Sequence, residues 1–112
     1  MAGAALALLV GACGGSSDAN CPNDLPAACP STPPSFATDV QPILGNNCRT
    51  CHSPGGQESS IPLLTYDQVF QRRSSVLNQV HACRMPPDGS PAPSATERVL
   101  LQAWLVCGAP NN

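Results

Sequence analysis

The chain has 112 residues, of which 13 are proline, 9 glycine and 7 cysteine, a length typical of one domain. Its five arginines, seven acidic residues and absence of lysine give a net charge of −2. This composition excludes a nucleic-acid binder, because no basic patch can neutralise phosphates. A chain with four aromatic residues has a small core, which usually needs disulfides, a metal or a cofactor as a staple. The odd cysteine count means that the cysteines cannot all pair with one another.

The N-terminal segment is predicted to be a signal peptide. Residues 3–12 form an apolar run that is too short to span a bilayer, which takes about 20 residues, but has the length of a signal-peptide core. The run ends at Val10-Gly11-Ala12-Cys13, which resembles the bacterial lipobox. We therefore expect a lipoprotein signal peptide over residues 1–12, lipidation of Cys13, and export to the periplasm with a lipid anchor in a bacterial membrane. An ordinary signal peptide with Cys13 as a bystander is the alternative.

Residues 13–34 are predicted to be a tether and proline-rich spacer. Five prolines and no hydrophobic periodicity occur between residues 18 and 34, which is typical of a linker. Cys21 and Cys29 are eight positions apart, so a local disulfide would close a short loop. A metal knuckle is the competing interpretation, but it lacks the closely paired ligands that zinc needs.

The segment at residues 48–52 reads C-x-x-C-H, the attachment motif of c-type haem. Cys48 and Cys51 are spaced so that each thiol can add to one haem vinyl group, and His52 then follows as the proximal iron ligand. Three alternatives are a thioredoxin-like redox pair, which needs a βαβ pattern, a zinc site, which needs two more ligands, and a plain disulfide.

Met85 is the only methionine besides Met1. It lies in a loop followed by Pro86 and Pro87, which restrict the backbone. A thioether suits haem iron, and ligation by histidine and methionine favours electron transfer over oxygen chemistry. Met85 is therefore the predicted distal ligand, and His81 is its rival. Core filling is the alternative role for a lone methionine.

Apolar residues at helical spacing predict an all-α fold of three or four helices, and no segment alternates like a strand. Asp39 is the predicted N-cap of the first helix, with Pro42 in its first turn. Two capping boxes open later helices: Thr65 with Gln68, and Ser94 with Glu97. A break is expected at residues 72–75, and Gly108 marks the end of the last helix.

Together these residues resemble a small class I cytochrome c domain of bacterial exported or lipid-anchored proteins. The matching segments are residues 39–44, the motif at 48–52, Gly55-Gly56, Met85-Pro86-Pro87 and the closing residues 104–110. The resemblance covers residues 36–110, and the predicted domain is 35–112. It implies helices around one covalent haem c, thioether links at Cys48 and Cys51, and His52 and Met85 as axial ligands.

Several supporting roles are predicted from position. Ile61, Leu63 and Leu64 would wall the haem pocket, and the Pro62 carbonyl could orient the His52 ring. Trp104 is expected to pack between the terminal helices. Arg49 and Arg84 could pair with haem propionates or remain solvated. The remaining cysteines, Cys83 and Cys107, are expected to form a disulfide, with two free thiols as the alternative.

The predicted function is single-electron transfer between a redox donor and a redox acceptor, by a monomer that is not an enzyme. One alternative is a haem-based sensor or peroxidase-like protein with a labile Met85. Another is a haem-free structural lipoprotein stabilised by disulfides.

Overall fold

The computed structural model describes residues 24–112, so the predicted signal peptide, Cys13 and Cys21 lie outside the described residues. The described part is helical and has no strand. It contains α1 (Gln41–Asn47), α2 (Tyr66–Gln71), α3 (Arg73–His81) and α4 (Ala95–Val106), and one π-helical turn, Phe36–Val40, leads directly into α1. No helix among these residues is long and apolar enough to cross a membrane.

The first helical segment begins earlier than the sequence predicts. Ser35, rather than Asp39, is the N-cap: its hydroxyl accepts a hydrogen bond from the Thr38 amide at 3.2 Å. Asp39 lies inside the π-turn, and its carboxylate accepts from the Ser35 amide at 2.8 Å. Each of the two side chains thus accepts a hydrogen bond from a backbone amide of the turn, a reciprocal arrangement like that of a capping box. Ser35 and Asp39 are both suitable N-cap residues, and the sequence alone does not distinguish between them.

The other helix boundaries follow the predicted caps. The Thr65–Gln68 and Ser94–Glu97 capping boxes both form. The predicted break occurs at Arg72, which separates α2 from α3. After α4, Gly108 has a φ of 87°, a left-handed conformation that glycine adopts without steric cost.

The centre of the core is an aromatic cluster around Trp104, which is fully buried. Phe36 lies 5.5 Å from Trp104 and 5.3 Å from Tyr66 between ring centroids, and Tyr66 lies 5.5 Å from Phe70. The Tyr66 hydroxyl donates to the Ala109 carbonyl at 2.8 Å. The cluster therefore joins the π-turn, α2 and α4, and Trp104 has the packing role predicted for it.

The N-terminal segment is tied to α4 by a buried polar contact. Asp24 forms an ion pair with Arg98 at 3.3 Å and accepts a hydrogen bond from Gln102 at 2.9 Å. Burial alone would raise the pKa of Asp24, but the hydrogen bonds from Gln102 and Arg98 and the charge of Arg98 outweigh it, so the pKa is lowered. These contacts were not foreseen from the sequence of the spacer.

The disulfide pairing differs from the prediction. Cys29 is bonded to Cys107, with their Cα atoms 4.8 Å apart, so neither Cys21–Cys29 nor Cys83–Cys107 forms. Cys83 is also disulfide-bonded. The sequence argument favoured short loops, whereas the observed pair is brought together by packing of the N-terminal segment on α4.

Peptide mapping of the unreduced protein should therefore yield a fragment in which Cys29 is linked to Cys107. In the chain-entropy model, a loop spanning 78 residues stabilises the fold by roughly 4 kcal/mol, so Cys107→Ser should lower the free energy of unfolding by up to that amount. A fragment linking Cys83 to Cys107 would contradict this assignment.

Candidate cofactor site

A cavity of about 430 Å³ lies among α1, α3, α4 and two loops. Its volume is within the range of small-molecule and cofactor sites, about 300–1,000 Å³. Its lining includes all four residues predicted to bind a cofactor: Cys48, Cys51, His52 and Met85. Cys48 and Met85 lie in different segments of the chain, on either side of α2 and α3, so the fold brings the two predicted ligand segments to one cavity.

The C-x-x-C-H segment leaves the end of α1 as a tight turn. The Cys48 amide donates to the Leu44 carbonyl at 3.0 Å, and the amides of Cys51 and His52 both donate to the Cys48 carbonyl, at 3.3 and 3.0 Å. Gly56 packs against this turn so closely that a Cβ there would overlap the Cys51 carbonyl. Both thiols and the imidazole are therefore presented by one hydrogen-bonded turn.

The orientation of the His52 ring is fixed by a backbone carbonyl. Its Nδ1 lies 2.7 Å from the Ile61 carbonyl oxygen, so Nδ1 carries the proton and donates it. Nε2 is then the unprotonated nitrogen that can ligate a metal. The sequence prediction named the Pro62 carbonyl. Ile61 takes that role, one residue earlier, while the Leu63 amide donates to the His52 carbonyl at 3.0 Å.

Cys48 and Cys51 are free thiols, although Cys29, Cys83 and Cys107 are all disulfide-bonded. Burial raises the pKa of Cys48 to about 11, against an opposing effect of Arg49 and a small addition from Cys51. A redox-active C-x-x-C needs a lowered cysteine pKa. This environment, together with the absence of strands from the described residues, argues against the thioredoxin-like interpretation.

Met85 is held by the last turn of α3. The amides of Arg84 and Met85 both donate to the Gln79 carbonyl, at 2.9 and 3.1 Å. Pro86 and Pro87 line the cavity beside Met85, as expected for a proline-restricted loop. The backbone of Met85 is therefore fixed to the end of α3, and its side chain lines the cavity.

One face of α3 also lines the cavity, which the sequence analysis did not predict. The lining residues are Arg72, Ser75, Val76, Gln79 and Val80. Their spacing of i, i+3, i+4, i+7 and i+8 is that of one helical face, and this periodicity could have identified them. Arg72 is the single arginine that lines the cavity.

Only some of the other residues predicted near the cofactor line the cavity. Ile61 and Leu63 wall the cavity, whereas Leu64 does not. Arg49 and Arg84 are absent from the lining, and Arg49 instead donates to the Leu64 carbonyl at 3.0 Å. His81 is also absent from the lining, so Met85 is the better placed of the two predicted distal ligands.

Among residues 24–112, no three His, Cys, Asp or Glu side chains form a group that could hold a metal ion. A protein zinc site uses three or four such ligands, so the zinc interpretation gains no support. An iron held in a macrocycle needs only axial protein ligands, so the lack of a three-residue ligand group among these residues does not test a haem site.

No family model matches the chain, and neither the curated proteins nor the solved structures contain a significant match.

The raised pKa of Cys48 predicts an alkaline loss of stability while its thiol is free. A pKa raised by folding adds stability below the unfolded value, near 9.0, and this stability is lost as the pH rises through the folded value of about 11. The free energy of unfolding in urea should therefore fall between these pH values. Cys48→Ala retains every other titrating group and should show a smaller fall, whereas equal falls in the two proteins would contradict the assignment.

Proposed function

We propose that this chain is a monohaem c-type cytochrome that carries single electrons outside the cytoplasm. The observation that carries the proposal is the lining of one cavity by two free thiols, an imidazole with a fixed tautomer, and a thioether. These are the two thioether positions and the two axial ligands that a covalent haem c requires.

The residues present fit this group chemically. The S–H bond of each cysteine, Cys48 and Cys51, would add across one vinyl double bond. The sulfur and the hydrogen both join the former vinyl carbons, so two C–S bonds form with no leaving group. His52 would ligate through Nε2, since Nδ1 is engaged by the Ile61 carbonyl. Met85 would supply the distal sulfur. When bound, the haem supplies a reversible one-electron ferric–ferrous couple.

The protein residues would keep this site suited to electron transfer rather than to oxygen chemistry. His52 and Met85 would fill both axial positions and keep small ligands off the iron. Because their backbones are held by hydrogen bonds within the turn at 48–52 and the end of α3, neither needs to move when the charge changes. A sensor or peroxidase-like protein would instead need Met85 to be absent or labile.

The charge of the folded part favours short-range docking to a redox donor and acceptor. Between residues 24 and 112, five arginines face six acidic residues, which leaves a net charge of −1. With so small a net charge in this part of the protein, long-range electrostatic steering is weak. Lipidation at Cys13 and periplasmic anchoring belong to the same proposal, as does a monomeric state.

The decisive experiment is expression with bacterial haem-attachment machinery, followed by a pyridine haemochrome spectrum. We expect about one c-type haem per chain, as one C-x-x-C-H motif implies, and none in Cys48→Ala/Cys51→Ala. Cys29→Ser/Cys107→Ser is the matched control and should retain haem, because these two cysteines form a disulfide and neither of them lines the cavity. Absence of haem in the natural sequence would overturn the proposal.

The same holoprotein tests the axial ligands. Met85→Ala should abolish the ferric sulfur-to-iron charge-transfer band and allow carbon monoxide to bind the ferrous form. His81→Ala should do neither, since His81 does not line the cavity. Carbon monoxide binding to the unaltered ferrous protein would favour the sensor or peroxidase-like alternative.

Arg72 should set part of the reduction potential. It is the single arginine that lines the cavity, and a positive charge beside a bound haem would favour the ferrous state. Arg72→Gln should lower the potential by about 20 to 60 mV, from Coulomb's law at a screened site. Arg73→Gln is the control, because Arg73 packs on Phe70 at 4.0 Å. Equal potentials in the two variants, measured by spectroelectrochemistry, would contradict this role.

A further inference from the structure

The most buried charged side chain of the described residues plays no part in the cavity. Arg98 lies in α4, is 7 % exposed, and does not line the cavity. Burying a guanidinium is costly unless a counter-charge and hydrogen-bond acceptors surround it. Here the counter-charge is Asp24, whose two carboxylate oxygens each lie 3.3 Å from a guanidinium nitrogen.

The remaining donors of Arg98 satisfy the end of α3. Its guanidinium donates to the Val80 carbonyl and to the His81 carbonyl at 3.0 Å. The last carbonyls of a helix have no partner within the helix. Arg98 therefore caps the C-terminus of α3 from a neighbouring helix and fixes the direction in which the chain leaves it.

The chain that leaves α3 reaches Met85 within a few residues. The Cys83 amide donates to the same Val80 carbonyl at 3.1 Å, and Cys83 adopts a left-handed backbone with a φ of 56°. The Met85 amide then donates to the Gln79 carbonyl at 3.1 Å. The backbone of Met85 is thus anchored to the same helical turn that Arg98 holds.

Asp24 is held in place by a second donor. The side chain of Gln102, fully buried one turn after Arg98 in α4, donates to Asp24 Oδ1 at 2.9 Å. Farther along the N-terminal segment, the Cys29–Cys107 disulfide joins the chain to the end of α4. The segment that carries Asp24 is therefore held on α4 by two contacts, the Gln102 hydrogen bond and the disulfide.

We propose that Asp24 is a positioning residue for Met85: through Arg98 it holds the last turn of α3, and that turn sets where the thioether enters the cavity. The proposal rests on the proposed function, because it assigns a purpose to the position of Met85. It connects the N-terminal segment with the distal side of the candidate site, although Asp24 contacts neither the cavity nor Met85. A purely structural Asp24 would stabilise the fold without altering the methionine ligand.

The test is carbon monoxide binding to the ferrous holoprotein of four variants, at equal folded fraction by far-UV circular dichroism. Asp24→Ala should weaken the ferric charge-transfer band and increase carbon monoxide affinity by roughly tenfold or more. Asp24→Asn keeps an acceptor for Gln102 but loses the charge, and should give an intermediate effect. It replaces Asp24→Ala in the test if Asp24→Ala does not fold. Asp24→Glu should restore the natural behaviour at least partly.

Tyr66→Phe is the matched control for lost stability. It removes the hydrogen bond from the Tyr66 hydroxyl to the Ala109 carbonyl. Neither residue lines the cavity, so the methionine ligand should stay intact. Carbon monoxide affinity that is unchanged in Asp24→Ala, or raised equally in Tyr66→Phe, would overturn the proposal.

A second readout separates this proposal from the proposed function. In the haem-free protein, Asp24→Ala should accelerate hydrogen exchange of the Arg84 and Met85 amides by roughly tenfold. The Ala109 amide, bonded to the Trp104 carbonyl at 3.0 Å, should not change. If the natural sequence attaches no haem, the proposed function fails while this measurement still decides whether Asp24 holds the Met85 turn.

Discussion

The concentration of aromatic side chains on one side of the molecule is the constraint from which the rest of the structure follows. All four aromatic residues belong to the cluster around Trp104, and none of them lines the cavity. The cluster packs the π-turn, α2 and α4 against one another. The cavity is lined instead by aliphatic, polar and sulfur-containing side chains and by prolines, and a volume of about 430 Å³ stays open among them. A short chain with few large side chains often needs a cofactor or another staple to complete its core.

The cavity is lined by four groups whose presence together is not explained by packing alone. A free cysteine packs as a small hydrophobe. Packing does not explain why two cysteines at this spacing lie beside an imidazole with an engaged Nδ1. It also does not explain why a methionine from a proline loop lines the same cavity. The proposed covalent haem would account for all four, since its bulk would fill the cavity. The α3 face that follows Arg72 supplies a mixed apolar and polar wall on the same side.

The sequence predicts those features of the fold that depend on residues close together in the chain. The capping boxes at Thr65 and Ser94, the break at Arg72 and the stop at Gly108 depend on residues within one turn, and all four are confirmed. The four candidate cofactor residues were also named from motif and loop chemistry, and they do line one cavity. Asp39 was misread because two acceptors, Ser35 and Asp39, compete within one turn, and sequence alone does not rank them.

Long-range contacts could not be predicted in this way. The Cys29–Cys107 disulfide depends on where the N-terminal segment packs, and that in turn depends on a buried ion pair between Asp24 and Arg98. Neither residue has a distinctive local pattern. Likewise, Arg72 rather than Arg49 or Arg84 lines the cavity because the turn between α2 and α3 directs it there. The missed residues are those whose role is fixed by tertiary packing.

The two thiols of the motif are free in a protein that forms disulfides elsewhere, and for Cys48 burial gives a physical reason. Thiolate is the species that attacks a disulfide, and with a pKa of about 11 Cys48 is almost entirely protonated near neutral pH. Attack of Cys48 on the Cys29–Cys107 disulfide is therefore disfavoured. The apolar surroundings that leave room for a cofactor thus also lower the reactivity of the Cys48 thiol, so the cavity and the protonated state of Cys48 have one cause.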